Sequence, residues 1–270
     1  MAGPGPPHSV ALQLVERCEA RLGPASAAFA RRVFSMDVET YAARLAQYGF
    51  VDRGAVLDAG CGFGQWSLAL ATTNATVEAC DIREDRVDFL RELAGLAKAP
   101  NLRATRADLA ALPHPDASFD AVFCYGALFL TPWRASLGEL VRVLRPGGIL
   151  YVNANGLGWY KHLWTTQHNR SVGYEPRLQV ARAFLNTWRY DQGEPTEPGV
   201  DVLIDPKDLH VALARGGLEN VTQADEGCLG ATDLPAARSR AFFEGTYGGD
   251  LGVYEVIASK RSSSWSSLEP

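Results

Sequence analysis

Cysteine is scarce in this chain and gives no sign of a covalent or metal framework. The chain contains five cysteines, an odd number, and no two of them form a CxxC pair. A disulfide scaffold and a structural zinc site are therefore both disfavoured, and no cluster of carboxylates suggests a catalytic metal. We expect a protein of the reducing cytoplasm with no metal site. The cysteines are Cys18, Cys61, Cys80, Cys124 and Cys228.

The chain also lacks an excess of basic residues and has no long apolar run. Lysine and arginine number 26 against 31 acidic residues, so the net charge is −5 over 270 residues. A protein that tracks nucleic acid needs a basic surface to displace phosphate counterions, which disfavours nucleic acid as a partner. No run approaches the ~20 apolar residues of a membrane span, and residues 1–10 lack the basic and apolar parts of a secretory signal. We expect no membrane association, and disorder at residues 1–10 and 261–270.

What is present is a change of pattern near residue 50. Apolar residues spaced by three and four predict helices from residue 10 to about 48, separated by the Gly23-Pro24 break. From residue 55, short apolar runs alternate with amphipathic stretches, which is typical of a parallel sheet covered by helices on both faces. The predicted strands are 55–59, 76–80, 102–106, 119–125 and 149–153, and the predicted helices are 65–73, 84–97 and 132–144.

Residues 154–204 interrupt this alternation. They are rich in aromatic residues and predict a mainly helical insertion that packs over the strand ends. The alternation then resumes, with helices predicted at 205–214 and 235–244 and strands predicted at 218–222 and 253–259. We expect the last strand to pair antiparallel with the one before it.

The chemistry is concentrated in the segment VLDAGCGFGQ, where an apolar strand runs into glycines and then a helix. Glycine lets a ligand approach the backbone closely, and the first turn of a helix presents unpaired amides that bind a carboxylate. Asp58 supplies a negative charge for an ammonium group, directly or through water. An amino acid moiety carries both of these groups. The glycines are Gly60, Gly62 and Gly64.

A dinucleotide-binding loop, G-x-G-x-x-G, is the competing interpretation. Gly60 and Gly62 match it, but the third position is Gln65 and the glycine falls one residue early, at Gly64. Asp58 is also foreign to that fingerprint. An NAD-dependent oxidoreductase is therefore kept only as a less favoured alternative.

The string VLDAGCGFG resembles the cofactor loop of the class I S-adenosylmethionine-dependent methyltransferases, and later segments match in order. The resemblance implies that Asp81 hydrogen-bonds both ribose hydroxyls, that Ile82 packs on adenine, and that Tyr125 lies at the strand end lining the methionine part. It also implies contacts from Asp108 and Leu109 to the adenine edge. The implied S-adenosyl-L-methionine site comprises Asp58, Gly60, Cys61, Gly62, Gly64, Asp81, Ile82, Asp108, Leu109 and Tyr125.

Residues 145–148, with the sequence RPGG, are similar to the family's turn before the fifth strand. The resemblance covers residues 50–153 well, 205–260 loosely and the insertion hardly at all. It implies an α/β, Rossmann-like, doubly wound sheet of seven mostly parallel strands with helices on both faces. The expected units are an N-terminal helical extension (1–50), the two parts of the Rossmann-like domain (51–153 and 205–260), a helical cap (154–204) and a tail (261–270).

Methyl transfer from a sulfonium is an in-line displacement, so the protein mainly positions and desolvates the reactants. A hydroxyl or carbon nucleophile needs a general base, and histidine is the usual one near neutral pH. His162, beside Tyr160 in the aromatic insertion, is our candidate, with a purely structural histidine as the alternative. The insertion's aromatics predict either a pocket for a flat or apolar acceptor or the insertion's own core. They are Trp159, Trp164 and Trp188, with Phe129 before the insertion.

The fourth strand ends in Cys124-Tyr125-Gly126, without the Asn/Asp-Pro-Pro-aromatic signature of enzymes that methylate exocyclic amino groups of bases or glutamine. That absence and the acidic charge favour a small-molecule acceptor, such as a secondary metabolite. An RNA or protein methyltransferase is the alternative, and a non-catalytic binding module is a further one. A homodimer is compatible with the sequence, which carries no signal for an oligomeric state.

Overall fold

A seven-stranded sheet forms the centre of the protein. The computed structural model describes residues 7–171, 173–230 and 242–262. The sheet has the order β3-β2-β1-β4-β5-β9-β6, in which β1 to β5 are parallel and β9 runs antiparallel to both of its neighbours. The predicted fold class is therefore confirmed. The strands are β1 Ala55–Ala59, β2 Thr76–Asp81, β3 Leu102–Arg106, β4 Phe119–Cys124, β5 Leu144–Asn155, β6 Leu218–Asp225 and β9 Val253–Lys260, and a small hairpin consists of β7 Thr246–Tyr247 and β8 Asp250–Leu251.

Helices cover both faces because the strands are apolar on both sides. One core packs α1 to α5 against the sheet through side chains such as Leu45 and Phe89, and the other packs α6 and α9 through Trp133 and Leu213. The described helices are α1 Pro7–Leu22, α2 Pro24–Val33, α3 Val38–Gln47, α4 Gln65–Thr73, α5 Glu84–Leu96, α6 Trp133–Val143, α7 Leu157–Thr166, α8 Pro176–Asp191 and α9 Pro206–Arg215, with a 3₁₀ turn at Leu128–Leu130. Among the described residues, no helix combines the length and hydrophobicity that a membrane span requires.

The N-terminal helices pack on the same face as α4 and α5, which brings them to the glycine segment. Pro24 begins α2 after Gly23, and Asp37 caps α3 by accepting the Thr40 N–H at 2.7 Å. Helix α1 begins at Pro7, so the predicted disorder is wrong for residues 7–10. The reason is that Val10 packs against the core. Residues 1–6 lie outside the described part.

Three further predicted segments can be compared with the structure, and their outcomes differ. Residues 145–148 form a bulge inside β5, between the pairs Phe119↔Leu144 and Ala121↔Ile149, rather than a turn that precedes the strand. The predicted helix at 235–244 falls largely on residues 231–241, outside the described part. Within the predicted tail, Arg261 is held to the sheet edge because its N–H donates to the Gly217 carbonyl at 3.0 Å, and residues 263–270 lie outside the described part.

Residues 154–204 contain α7 and α8, which share a small core of Tyr160, Leu163, Val180 and Ala183. A buried carboxylate ties this unit to the sheet. Asp201 accepts hydrogen bonds from the Tyr160 hydroxyl and from the side chain of Asn155 at the end of β5. Because β5 leads directly into α7, the unit sits at the carboxyl edge of the sheet, where ligands bind in open α/β sheets.

Candidate functional site

The glycine loop after β1 is tightly packed at its start and open at its middle. Gly60, Gly62 and Gly64 all have left-handed φ values, of +81°, +57° and +89°. A Cβ at Gly60 would lie 2.2 Å from the Ala127 Cβ, whereas a Cβ at Gly62 would meet no atom within 4 Å. The N–H groups of Gly60 and Cys61 both donate to the Cys80 carbonyl, at 2.8 and 2.9 Å. The loop is therefore anchored to β2 and presents open space at Gly62.

Asp81, the last residue of β2, contacts the glycine loop at Gly62. Its side chain is almost wholly buried, and Oδ2 accepts the Gly62 N–H at 3.0 Å. Oδ1 accepts the Arg83 N–H at 2.9 Å, and Arg86 Nη1 lies 3.5 Å from Oδ2. The structure thus brings together the loop and the strand-end carboxylate, two features that the sequence placed 19 residues apart.

The three other residues that the resemblance assigns to the adenine side differ in their exposure and contacts. They are Ile82, Leu109 and Asp108. Ile82 is 59% exposed, a large apolar side chain left open to solvent beside Asp81. Leu109 is buried, and its Cδ1 lies 3.7 Å from the position of a Cβ on Gly60, so it borders the loop. Asp108 is exposed and accepts the Ala110 N–H at 2.9 Å, which is a turn contact. A role for Asp108 toward a ligand stays a prediction.

Asp58 lies beneath the loop and is 1% exposed. Ser67 on α4 donates its hydroxyl to Asp58 Oδ2 at 2.5 Å. Burial raises the pKa of Asp58 to about 7, the Ser67 hydrogen bond opposes this rise, and the charge of Asp81 adds to it. Burial likewise holds the pKa of the Cys61 thiol well above its usual range. A role for Asp58 toward an ammonium group stays a prediction.

Replacing Asp58 by asparagine should remove a pH dependence from the stability of the protein. Burial raises the pKa of Asp58 from 3.8 to about 7, so the folded chain holds this proton more tightly than the unfolded chain. The resulting stabilisation is complete below the unfolded pKa and is lost as the pH rises through the folded one. Between pH 5 and pH 7, urea unfolding should show the wild-type protein losing about 2 kcal/mol more than Asp58→Asn. Parallel pH profiles would mean that the folded protein keeps Asp58 ionised.

Tyr125, at the carboxyl end of β4, belongs to a buried polar network. Its hydroxyl donates to Glu226 Oε1 at 3.0 Å, and Arg44 Nη2 donates to the same oxygen at 2.7 Å. A second carboxylate, Glu255, accepts from the hydroxyls of Tyr48 and Tyr151 at 2.8 and 2.9 Å. Arg44, Glu226 and Glu255 are fully buried. One guanidinium thus faces two carboxylates directly behind the site.

The network makes Tyr125 a hydrogen-bond donor rather than a base. Burial raises its pKa well above the usual range, and the charge of Glu226 raises it further. Its ring lies 5.0 Å from that of Trp66, in the first turn of α4 after the glycine loop. Tyr125 therefore lies beside the start of α4, which follows the glycine loop, and its role toward the methionine part of a ligand stays a prediction.

Sequence reasoning missed Ser67 and the network of Arg44, Glu226 and Glu255. Ser67 carries a weak signal, since it is a hydroxyl within the apolar stretch WSLALA of α4. The Arg44–Glu226 contact carries none, because its partners are 182 residues apart.

His162 lies on α7 in a cluster of rings. Its imidazole stacks on Tyr247 at 4.2 Å, with Trp159 at 5.7 Å and His168 at 5.3 Å. Burial, together with the charge of His168, lowers the pKa of His162 and so favours its neutral ring, the form that is able to accept a proton. No hydrogen bond or ring contact within the described ranges links His162 directly to the glycine loop or Asp81.

The aromatics of the insertion divide into two groups. Tyr160 is part of the core between α7 and α8, whereas Trp164 and Trp188 are 48% and 54% exposed. Trp159 and Phe129 are partly buried. Trp164 and Trp188 are therefore not the core of the insertion.

Comparison with known proteins agrees with this arrangement. A sequence profile of the methyltransferase domain matches residues 56–148. Demethylmenaquinone methyltransferase of Beutenbergia cavernae is 38% identical over 180 residues, which are 62% of this chain and 68% of the relative. Demethylmenaquinone methyltransferase of Deinococcus radiodurans is 39% identical over 98 residues, 35% of this chain and 40% of the relative. The chain thus spans less than half of the length of that second relative.

Among solved structures, a geranyl diphosphate methyltransferase in complex with SAM has a TM-score of 0.55 at 15% identity, covering 84% of this chain and 86% of the other. At this identity the likeness concerns the fold alone. The sequence similarity to the relative from Beutenbergia cavernae covers more than two thirds of the length of that relative. With a seven-stranded sheet, a glycine loop after β1 and an acidic residue ending β2, the chain belongs to the class I S-adenosylmethionine-dependent methyltransferase family.

Proposed function

We propose that this methyltransferase binds S-adenosylmethionine at the predicted residues and transfers the methyl group to a small-molecule acceptor. The observation that carries the proposal is the junction of Gly62 and Asp81, where open space at a left-handed glycine adjoins a nearly buried carboxylate. S-adenosylmethionine supplies an electrophilic methyl group on a sulfonium. The residues of the chain bind and orient it, and they exclude water from it.

The carboxylate of Asp81 has the capacity to hold a ribose. An ionised carboxylate offers about four lone-pair positions, and two of them accept the N–H groups of Gly62 and Arg83. The remaining positions suit the two ribose hydroxyls, which are donors. Ile82, exposed beside it, offers an apolar surface for the adenine ring.

The relatives support a small acceptor. Demethylmenaquinone methyltransferases of two bacteria, as their name states, act on demethylmenaquinone, which is a small molecule rather than a nucleic acid or a protein. The net charge of −5 points the same way, because a nucleic-acid substrate favours a basic surface. A secondary metabolite fits both observations.

Calorimetry with S-adenosylhomocysteine and with NAD tests the proposal. We expect one equivalent of S-adenosylhomocysteine to bind and NAD to give no binding heat, since the glycine spacing lacks the third position of the dinucleotide loop.

We also infer that His162 is the general base, which accepts the acceptor's proton through its neutral ring. His162→Ala should then bind S-adenosylhomocysteine like the wild-type protein while its turnover falls. Binding of NAD alone would overturn the cofactor assignment, and full turnover of His162→Ala would remove the base.

A further inference from the structure

The insertion and the β7–β8 hairpin line an open cavity of about 710 Å³. Its volume lies within the range of small-molecule sites, roughly 300–1,000 Å³. Five of its twelve lining residues carry rings, and these come from α7, α8 and the hairpin. The rings are Tyr160, His162, Trp164, Phe184 and Tyr247.

An aromatic bridge connects this cavity to the cofactor side of the molecule. Phe243 packs on Trp159, the neighbour of His162, with ring centroids 5.1 Å apart. The preceding residue, Phe242, packs on Tyr125 at the end of β4, at 6.3 Å. Trp159 in turn packs on the cavity residue His162. Two consecutive residues therefore connect the neighbour of the cavity wall to the strand end that precedes Gly126.

The cavity offers much apolar surface and few free polar groups. Trp164 and Phe184 are 48% and 43% exposed, although apolar side chains of this size are normally buried. The cavity's charged lining residues are Lys161, which pairs with Asp250, and Glu244. Within the described part of the chain, the Nε2 atom of His162 has one long contact, 3.5 Å to the Thr166 hydroxyl, so it has the capacity to accept a stronger hydrogen bond. Such a site suits an apolar body with one polar group.

The geometry points to this cavity as the acceptor site, and to the acceptor as a flat, apolar ring compound with a hydroxyl directed at His162. This inference rests on the proposed function. In the reaction, the hydroxyl proton passes to His162 as the oxygen bonds the methyl carbon. The carbon–sulfur bond breaks, and the sulfur keeps the electron pair as a neutral thioether. The proton on His162 is then released to water.

Equilibrium dialysis with 2-naphthol, a fused-ring alcohol, tests the site in the full-length protein. The wild-type protein should bind this probe, and Phe184→Ala and Trp164→Ala should each weaken its binding about tenfold or more, because they remove cavity walls. Both side chains are partly exposed, so neither change removes a core residue. Trp188→Ala is the matched control, since Trp188 lies on the same helix as Phe184, is also about half exposed and does not line the cavity. It should bind the probe like the wild-type protein.

Calorimetry with S-adenosylhomocysteine on the same four proteins separates the two proposals. Affinities that agree across the four, together with the loss of 2-naphthol binding in the cavity variants alone, would support the acceptor site. If the wild-type protein binds S-adenosylhomocysteine but not 2-naphthol, the cavity assignment fails while the cofactor assignment stands. An equal loss of probe binding in Trp188→Ala would also overturn it, because the probe would then adhere to exposed rings generally. Failure to bind S-adenosylhomocysteine would instead refute the proposed function.

Discussion

Replacing Asp81 by asparagine should weaken the binding of S-adenosylhomocysteine about 10- to 150-fold. Hydrogen bonds to a charged, desolvated group contribute about 1.5–3 kcal/mol, and the Asp81 side chain is only 7% exposed. The amide keeps one acceptor oxygen but has no charge, and its NH₂ group cannot accept the Gly62 N–H that Oδ2 accepts now. The variant therefore loses ribose contacts and loosens the loop.

Calorimetry measures this loss, and Asp85→Asn provides the control. Asp85 lies four residues further on, in the first turn of α5, and its carboxylate bonds the exposed side chain of Arg83 instead of the loop. We expect Asp85→Asn to bind S-adenosylhomocysteine with wild-type affinity. If Asp81→Asn also did so while melting at the wild-type temperature, Asp81 would have no part in holding the ribose.

The central part of the site could be predicted because its signals are local. Asp58 and the glycines stand in one string between an apolar strand and a helix, and Asp81 is the last residue of the next strand. A strand followed by alternate glycines has few conformations open to it. The order of the parallel strands then brings Asp81 and Gly62 to one edge of the sheet. Local pattern and topology are sufficient for this contact.

The parts that could not be predicted depend on contacts between distant segments. Arg44 on a helix with a polar face resembles an ordinary surface arginine, and nothing near it in sequence shows that Glu226 and Glu255 meet it. The cavity likewise requires α7, α8 and a hairpin some 80 residues later in the chain. The bulge at 145–148 was expected as a turn because proline and glycine signal a change of direction but not whether pairing continues on both sides. The Arg44 contacts, the cavity and the bulge are therefore visible only in the folded structure.

The Arg44 network should have the largest effect on stability. Arg44→Ala leaves the carboxylates of Glu226 and Glu255 buried without their cation, and removing one partner of a buried ion pair costs about 3–5 kcal/mol. Its guanidinium also lies 4.3 Å from the centroid of the Phe242 ring, so its loss removes packing as well. At about 2–4 °C per kcal/mol for a large domain, the midpoint of thermal unfolding should fall by roughly 6–20 °C.

Arg91→Ala is the matched comparison for Arg44→Ala. Arg91 pairs with two carboxylates, Glu84 and Asp88, but all three side chains are about half exposed. Surface pairs contribute about 0–1 kcal/mol, so this variant should melt within about 3 °C of the wild-type protein. The two arginines have the same number of carboxylate partners and differ in burial. Equal, small shifts in calorimetric melting for both variants would therefore mean that water reaches Glu226 and Glu255. In that case the space behind Tyr125 would be hydrated, and Tyr125 would no longer be held by a desolvated carboxylate beside the cofactor loop.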